Sequence, residues 1–339
     1  MAPTTAPRLG AAVRAAARSP LWRTVLALVL VLAGLGGWWL SANRSPGYPR
    51  GSTGFVTGVQ GGVYDKYGQL LETHVAKAMP GVRLRLDNSQ GSIDNLARVT
   101  SGQDDFAIAT ADAVAQYSGP GKDRLRAIAR LYDDYLQLVV PADSPVHRTA
   151  DLKGLRVGVG QSLSGVNLVT RRLLASARLD PDHDIQPAML GVGEATEQLR
   201  EGGIDAFFWS GGLPTGALTS LSERFRIRIV PLGDLAEAVH QIEGGGTDAY
   251  RAATMPKGTY PNAEPKDAVA TVAVPNLLIT RDDVDTDLVQ GMTRAVIDSR
   301  DQIGAKVHAA QLVDLRTAVY TDPLPLHEGA MRYYRSVKP

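Results

Sequence analysis

The sequence predicts an α/β fold of two similarly built lobes joined by two crossover strands, carried behind an N-terminal apolar segment. Three observations predict it. Strand and helix patterns alternate from residue 55 onward, one short pattern returns 100 residues later, and two long β-rich runs lie where the chain would pass between lobes.

The first 54 residues read as a leader and a linker. Arg8, Arg14, Arg18 and Arg23 precede an uncharged run at 24–42, TVLALVLVLAGLGGWWLSA. Nineteen helical residues cover about 28 Å, close to the hydrocarbon thickness of a bilayer. Trp38 and Trp39 sit at the outer end, where indoles favour the interface, and the arginines put the N-terminus in the cytoplasm. Residues 1–23 are thus a cytoplasmic basic segment and 24–42 a transmembrane anchor, with the lobes outside the cell membrane. A cleaved signal peptide is the competing reading, but Leu40 is large at the third residue before a cut after Ala42. Residues 43–54, rich in Gly, Pro and Ser, read as a linker.

Residues 55–59 form a short strand ending at Gly61-Gly62, and 67–79 carry apolar residues at helical spacing up to Pro80-Gly81. Residues 82–86 alternate as a strand, Ser92 is placed to cap a helix over 93–100, Gly102 stops it, and 106–109 is the next strand. The pattern then restarts with a strand at 155–160, helices at 166–177 and 195–200, and a strand at 206–209. Ser101-Gly102-Gln103-Asp104-Asp105-Phe106-Ala107 and Glu201-Gly202-Gly203-Ile204-Asp205-Ala206-Phe207 share one order of helix end, glycine, acid and apolar strand. Runs 135–140 and 269–280 are the crossings, so lobe 1 comprises 55–140 plus 270–339 and lobe 2 comprises 141–269. Two crossings make a hinge. The helical tail at 285–305 should pack on lobe 1.

In open α/β sheets ligands bind beyond the carboxyl ends of the strands. The loops falling there supply the candidate ligand-binding residues: Gly62 and Tyr64; Ser92 and Asn95; Thr110 and Asp112; Ser162, Ser164, Gly165 and Val166; Trp209 and Ser210. Ser164, Gly165 and Val166 open a helix, where free amides and the helix dipole would hold a carboxylate without a buried arginine. Simple capping by Ser92 and Ser164 is the alternative.

Composition and motifs exclude much else. The 339 residues suffice for two domains, and 44% hydrophobic with 21% charged residues marks a globular chain. A net charge of +1, with four arginines in the leader, leaves no basic surface for nucleic acid. With no cysteine there is no disulfide, thiolate site, Cys nucleophile or lipidated N-terminal Cys. The six histidines lack any metal-binding spacing, so no metal and no cofactor is expected. Gly158 and Gly160 start a dinucleotide fingerprint whose third glycine, Gly165, comes two residues late. Gly160-Gln161-Ser162-Leu163-Ser164 misses the nucleophile elbow at its last glycine, which makes a hydrolase a distant alternative and leaves no catalytic residue. Asp104-Asp105, Asp133-Asp134 and Asp282-Asp283 read as solvated acids in turns.

Seven segments in order resemble the TAXI class of substrate-binding receptors of tripartite ATP-independent periplasmic (TRAP) transporters. They are Gly61-Gly62-Val63-Tyr64, Gly91-Ser92-Ile93-Asp94-Asn95-Leu96, Thr110-Ala111-Asp112, Asp151-Leu152-Lys153-Gly154-Leu155-Arg156-Val157, Ser162-Leu163-Ser164-Gly165-Val166, Lys257-Gly258-Thr259-Tyr260-Pro261 and Pro325-Leu326-His327-Glu328-Gly329-Ala330. The resemblance spans residues 55–334. It implies a periplasmic-binding-protein-like (type II) fold and a non-enzymatic receptor that closes on an acidic metabolite such as glutamate or a dicarboxylate. The implied partners are the small-molecule solute and membrane permease subunits; the same module would also serve a membrane sensor kinase as its ligand-sensing input. Val63 and Val166 stand where the family usually has threonine, Asp65 replaces a common tyrosine, and Trp209-Ser210-Gly211 replaces a smaller turn. These departures favour a ligand with more apolar surface.

Overall fold

A computed structural model of the chain describes residues 24, 27–36, 48–242 and 247–337. The chain divides into two units, Met1–Gly47 and Tyr48–Pro339. In the first, residues 27–36 are helical with Leu28, Leu30 and Leu32 exposed. The rest of the expected anchor at 24–42, apart from Thr24, lies outside the described residues, and no helix among the described residues is long and apolar enough to cross a membrane.

The second unit holds one mixed sheet built from β1 (Gly51–Val56), β2 (Val82–Asp87), β3 (Phe106–Thr110), β4 (Leu125–Pro141), β5 (Arg156–Gly158), β6 (Gln186–Ala188), β7 (Ala206–Gly211), β8 (Ile227–Val230), β9 (Arg251–Met255) and β10 (Val269–Arg281). Its order is β2-β1-β3-β10-β4-β7-β5-β6, with β8 on β4 and β9 on β10. In one half β1 lies parallel between β2 and β3; in the other β5 lies parallel between β6 and β7. β4 and β10 run antiparallel to each other through both halves.

Helices cover both faces: α1 (Val63–Ala78), α2 (Ser92–Ser101), α3 (Ala111–Gln116), α4 (Gly165–Ser176), α5 (Val192–Glu201), α6 (Gly216–Arg224), α7 (Leu235–Ala238), α8 (Thr286–Asp298), α9 (Arg300–Gly304) and α10 (Glu328–Val337). Successive strand residues therefore enter different cores. Phe106 and Ile108 join the core of Tyr67, Leu71 and Met292, while Ala107 and Ala109 join that of Leu96 and Val99. Leu138 and Phe208 serve a third core, Val139 and Phe207 a fourth. Burial on both faces is why these strands read as unbroken apolar runs. The tail packs as expected, Val289 and Met292 of α8 meeting Val75 of α1 and Met79 just beyond its end.

The internal repeat has a structural counterpart. α2 and α5 occupy the same span 100 residues apart, and each ends on a left-handed glycine, Gly102 or Gly202. The acid that follows performs the same task twice. Asp105 accepts from Gly54 N through Oδ2 (3.1 Å) and donates its own N–H to Gly54 O; Asp205 exchanges the same two bonds with Arg156 (2.8 Å). Each acid thus ties the start of its strand to the neighbouring parallel strand.

Three expectations need correction. The linker ends sooner, because β1 starts at Gly51; the flexible composition hides a strand in which a Cβ on Gly54 would strike the Asp104 carboxylate at 2.4 Å. Ser92 is the first residue of α2 rather than its cap: Gly91, at φ +129°, takes that place. Asp133 and Asp134 are buried in β4 and are not in a turn. Asp104 is buried too, leaving Asp282-Asp283 as the solvated pair.

Gly202 lies at φ +73° with nothing within 4 Å of an added Cβ. Gly202→Ala should lower unfolding stability by about 1 kcal/mol through backbone strain alone. Gly193→Ala, inside α5 with equally open space, should be neutral or stabilising; urea melts of the two variants check the difference.

Candidate functional site

A cavity lies where the two halves of the sheet meet, beside the crossing strands. Tyr135, Asp134 and Asp133 of β4 face Ala273, Val274 and Pro275 of β10, and the pairing slips by one residue between Pro275 and Leu277. The walls come from both halves: Gly62, Tyr64, Gly91, Ser92 and Thr110 from one, Gly160, Gln161, Ser164, Gly165, Val166, Gly191, Trp209 and Ser210 from the other, with Asp134 between them. The cavity has a volume of about 50 Å³. The occupant is therefore small.

Five helix starts ring this space. Gly62, Gly91, Thr110, Ser164 and Gly191 are the N-caps of α1, α2, α3, α4 and α5, and all five line it. They gather there because every parallel strand turns into a helix at the same edge of the sheet. Amides of a first helical turn have no intrahelical acceptor, and the dipole makes that end positive. Some of these amides are already engaged. Ile93 and Asp94, in the first turn of α2, donate to Leu163 O at 3.1 Å each, so a carbonyl of one half caps a helix of the other. Ser164 caps α4, the alternative weighed for it, with its Oγ accepting from Asn167 N (3.0 Å), and its own N–H goes to Gln161 O. Gly165 and Val166 remain as the first-turn amides of α4.

The halves touch closely here. A Cβ on Gly165 would lie 2.9 Å from Ser92 Oγ and 3.0 Å from Thr110 Oγ1, and one on Gly91 would meet Ser164 Cβ at 3.0 Å. Glycine at both positions lets two loops close on each other. Ser92 Oγ accepts from Thr110 N (3.2 Å) and holds the α2 and α3 starts together.

Of the candidates, Gly62, Tyr64, Ser92, Thr110, Ser164, Gly165, Val166, Trp209 and Ser210 line the cavity. Three candidates do not. Asn95 is fully buried and donates to Thr57 O and Ile108 O, stapling α2 to the ends of β1 and β3. Asp112 accepts from the Tyr250 hydroxyl, and Arg172 donates to that same hydroxyl (3.1 Å), which makes a second bridge between the halves outside the cavity. Ser162 is exposed and lies outside the lining. Trp209 presents its ring to the cavity while Nε1 donates to Thr215 Oγ1 (3.0 Å). With Val59, Val63, Val166 and Leu190 it makes much of the wall apolar.

Among the lining residues that sequence reasoning missed, which include Gly91, Gly160, Gln161 and Gly191, Asp134 is the acid. It is 3% exposed and lines the cavity. Its Oδ1 accepts from Asn276 Nδ2 (2.7 Å) and its Oδ2 from Ser210 Oγ (3.4 Å). Asn276 in turn accepts from the Tyr64 hydroxyl. Burial pushes Asp134 up to about 7, only partly opposed by the bonds from Asn276 and Ser210 and reinforced by Asp112. Burial also raises the Tyr64 and Tyr132 hydroxyls well above 10, with Asp134 adding to both, and raises Asp112. The available signal was an acid inside the apolar run Leu136-Gln137-Leu138-Val139-Val140 and its approach, Leu131-Tyr132.

Two halves closing over a small cavity at a two-strand crossing define an α/β periplasmic-binding-protein-like fold with a mixed sheet. Residues 55–337 match the sequence profile of the NMT1-like family, and the chain belongs to that family. Among solved structures, one from Bordetella bronchiseptica RB50 is similar at a TM-score of 0.50 and 18% identity, over 85% of this chain and 90% of that one. The periplasmic aliphatic sulphonate binding protein of Escherichia coli is similar at 0.43 and 15%, over 86% and 84%. A putative L-cystine ABC transporter protein from Listeria monocytogenes is similar at 0.47 and 15%, over 78% and 98%.

Asp134 has a consequence for stability. Its raised value means that its favourable contribution is full below the unfolded value near 3.8 and is lost as pH rises through about 7. Without solute, Asp134→Asn should therefore be more stable than wild type at pH 8, on the order of a few kcal/mol, and the gap should close toward pH 4. Tyr64, Tyr132 and Asp112 are near enough to feel the same charge, and the tyrosines stay neutral across that range. Thermal melts of both proteins from pH 4 to 8 check this.

Proposed function

We propose that this protein is an extracytoplasmic solute-binding protein of the TAXI type. Its lobes, 55–140 plus 270–339 and 141–269, close on a small carboxylate-bearing solute and deliver it to the membrane subunits of a TRAP transporter. The observation that carries the reading is the seam itself. Leu163 O of one half caps α2 of the other at 3.1 Å, beside a cavity walled by both. Contacts of this kind exist only in a closed form, and a solute that bridges the two walls favours that form over an open one. First-turn amides of α4 at Gly165 and Val166 suit a carboxylate, as helix starts do generally. The apolar wall formed by Trp209, Val63 and Val166 suits a short hydrocarbon portion. The N-terminal segment 24–42 tethers the lobes outside the membrane, which fits a fixed membrane partner.

Closure is tested by a wedge. Gly165→Leu places a side chain against Ser92 Oγ and Thr110 Oγ1, where even a Cβ lies at 2.9–3.0 Å. The expected outcome is loss of co-purifying solute, read by mass spectrometry, and a larger radius of gyration in X-ray scattering, with unchanged helix content. A variant that stays compact and retains its solute would refute the closure reading. Tethering is tested by cell fractionation of the full chain. Full-length protein in the membrane fraction is expected; a soluble protein beginning near residue 43 would mean the segment is cleaved.

A further inference from the structure

β4 carries two neighbouring acids whose surroundings differ. Strand alternation sends Asp133 and Asp134 to opposite sides. Asp133 meets two cations, Arg130 at 2.8 Å and Arg251. Asp134 is the more deeply buried, and no described Lys, Arg or His lies within ion-pair distance of it. Its partners, the Asn276 amide and the Ser210 hydroxyl, are neutral, and the Ser210 contact is long at 3.4 Å. A carboxylate so placed is costly as an ion unless a cation joins it. Gln161 also lines the cavity, and its Oε1 is buried with no hydrogen-bond partner among the described residues. The cavity lining thus holds two acceptors, and among the described residues the stronger of them, Asp134, meets no positive charge.

We infer that Asp134 receives a protonated nitrogen of the solute, so that the solute is a small amino-acid-like zwitterion rather than a dicarboxylate. The inference rests on the solute-binding reading above and narrows it. The ammonium group sits on Asp134, and Gln161 Oε1 accepts a further N–H. The carboxylate points to the first-turn amides of α4, at Gly165 and Val166. Asn276 passes the hydrogen bond from the Tyr64 hydroxyl on to Asp134, which holds the carboxyl oriented toward the cavity. Opposite charges on the solute thereby meet opposite ends of one cavity, and a second carboxylate would find Asp134 where it needed a cation.

The test uses full-length protein and matched probes: glycine with acetate, L-alanine with propionate, and L-glutamate with glutarate. Calorimetry at pH 8 should show at least one amino acid binding tenfold or more tightly than its partner acid. Asp134→Asn should erase that preference, and the wild-type affinity for the amino acid should fall as pH drops from 8 to 5, where Asp134 becomes neutral. Asp112, Tyr64 and Tyr132 are near enough to feel the charge of Asp134, so persistence of the pH effect in Asp134→Asn would assign it to Asp112 and count against the inference. A partner acid binding as tightly as the amino acid overturns the role of Asp134 while leaving solute binding intact. If no probe binds, mass spectrometry of the co-purifying solute decides. A solute with a basic nitrogen supports the inference, and one without it overturns the inference alone. Absence of any solute, with no probe bound, overturns the solute-binding reading as well.

Discussion

β4 and β10 hold the molecule together. They are the longest strands, 17 and 13 residues, and they lie antiparallel at the centre of the sheet. One half of the sheet adds β3 to β10; the other adds β7 to β4. Parallel strands cannot be joined by a tight turn and need helical crossovers, so each half becomes a helix-covered layer of its own. The crossing strands are what those layers share. A slip in pairing between Pro275 and Leu277 interrupts the ladder beside Asp133 and Asp134. Bulges of this kind bend and twist a strand locally, and this one falls where the cavity opens.

The cavity follows from that arrangement. Every parallel strand delivers its helix start to one edge, and the two halves bring those edges together. Among the described residues, direct bonds across the seam include the two from α2 to Leu163 O, the cluster of Asp112, Tyr250 and Arg172, and the bond from Arg172 to Gln116 Oε1. A net hydrogen bond contributes about 0.5–1.5 kcal/mol. Contacts of that size favour a closed form without making it irreversible, and under the proposed function a bound solute would shift the balance by its extra affinity for that form. The close approach of Gly91 to Ser164, and of Gly165 to Ser92 and Thr110, sets a steric limit on closure. Larger side chains at either glycine would hold the seam apart.

The electrostatics of the cavity differ from those of a simple anion site. Helix starts favour negative charge, yet among the described residues the one ionisable side chain that lines the cavity besides Tyr64 is an acid. Asp134 is stapled by Asn276, itself on β10, so the carboxyl and its support come from the two crossing strands. Any movement of β4 against β10 alters that bond. One residue pair thus ties the buried carboxyl of the cavity to the pairing of the two crossing strands.

Local features were legible in the sequence because they depend on neighbours in the chain. The alternation of strand and helix, the left-handed glycine stops at Gly102 and Gly202, the Ser164 cap and the 100-residue repeat from Gly102 to Gly202 all follow from backbone conformation and periodicity. The loops that supply most of the cavity were legible for the same reason: they follow parallel strands. Tertiary structure alone decided what each loop residue does. Asn95 and Asp112 sit on the expected loops, but one is consumed by the carbonyls of residues 57 and 108 and the other by a tyrosine 138 positions away. Asp134 looked like a turn acid beside Asp133; only the long pairing with β10, and Asn276 placed 142 positions along the chain, makes it the buried acid of the cavity. A residue's burial and charge partners depend on distances between segments far apart in sequence, and no local pattern records them.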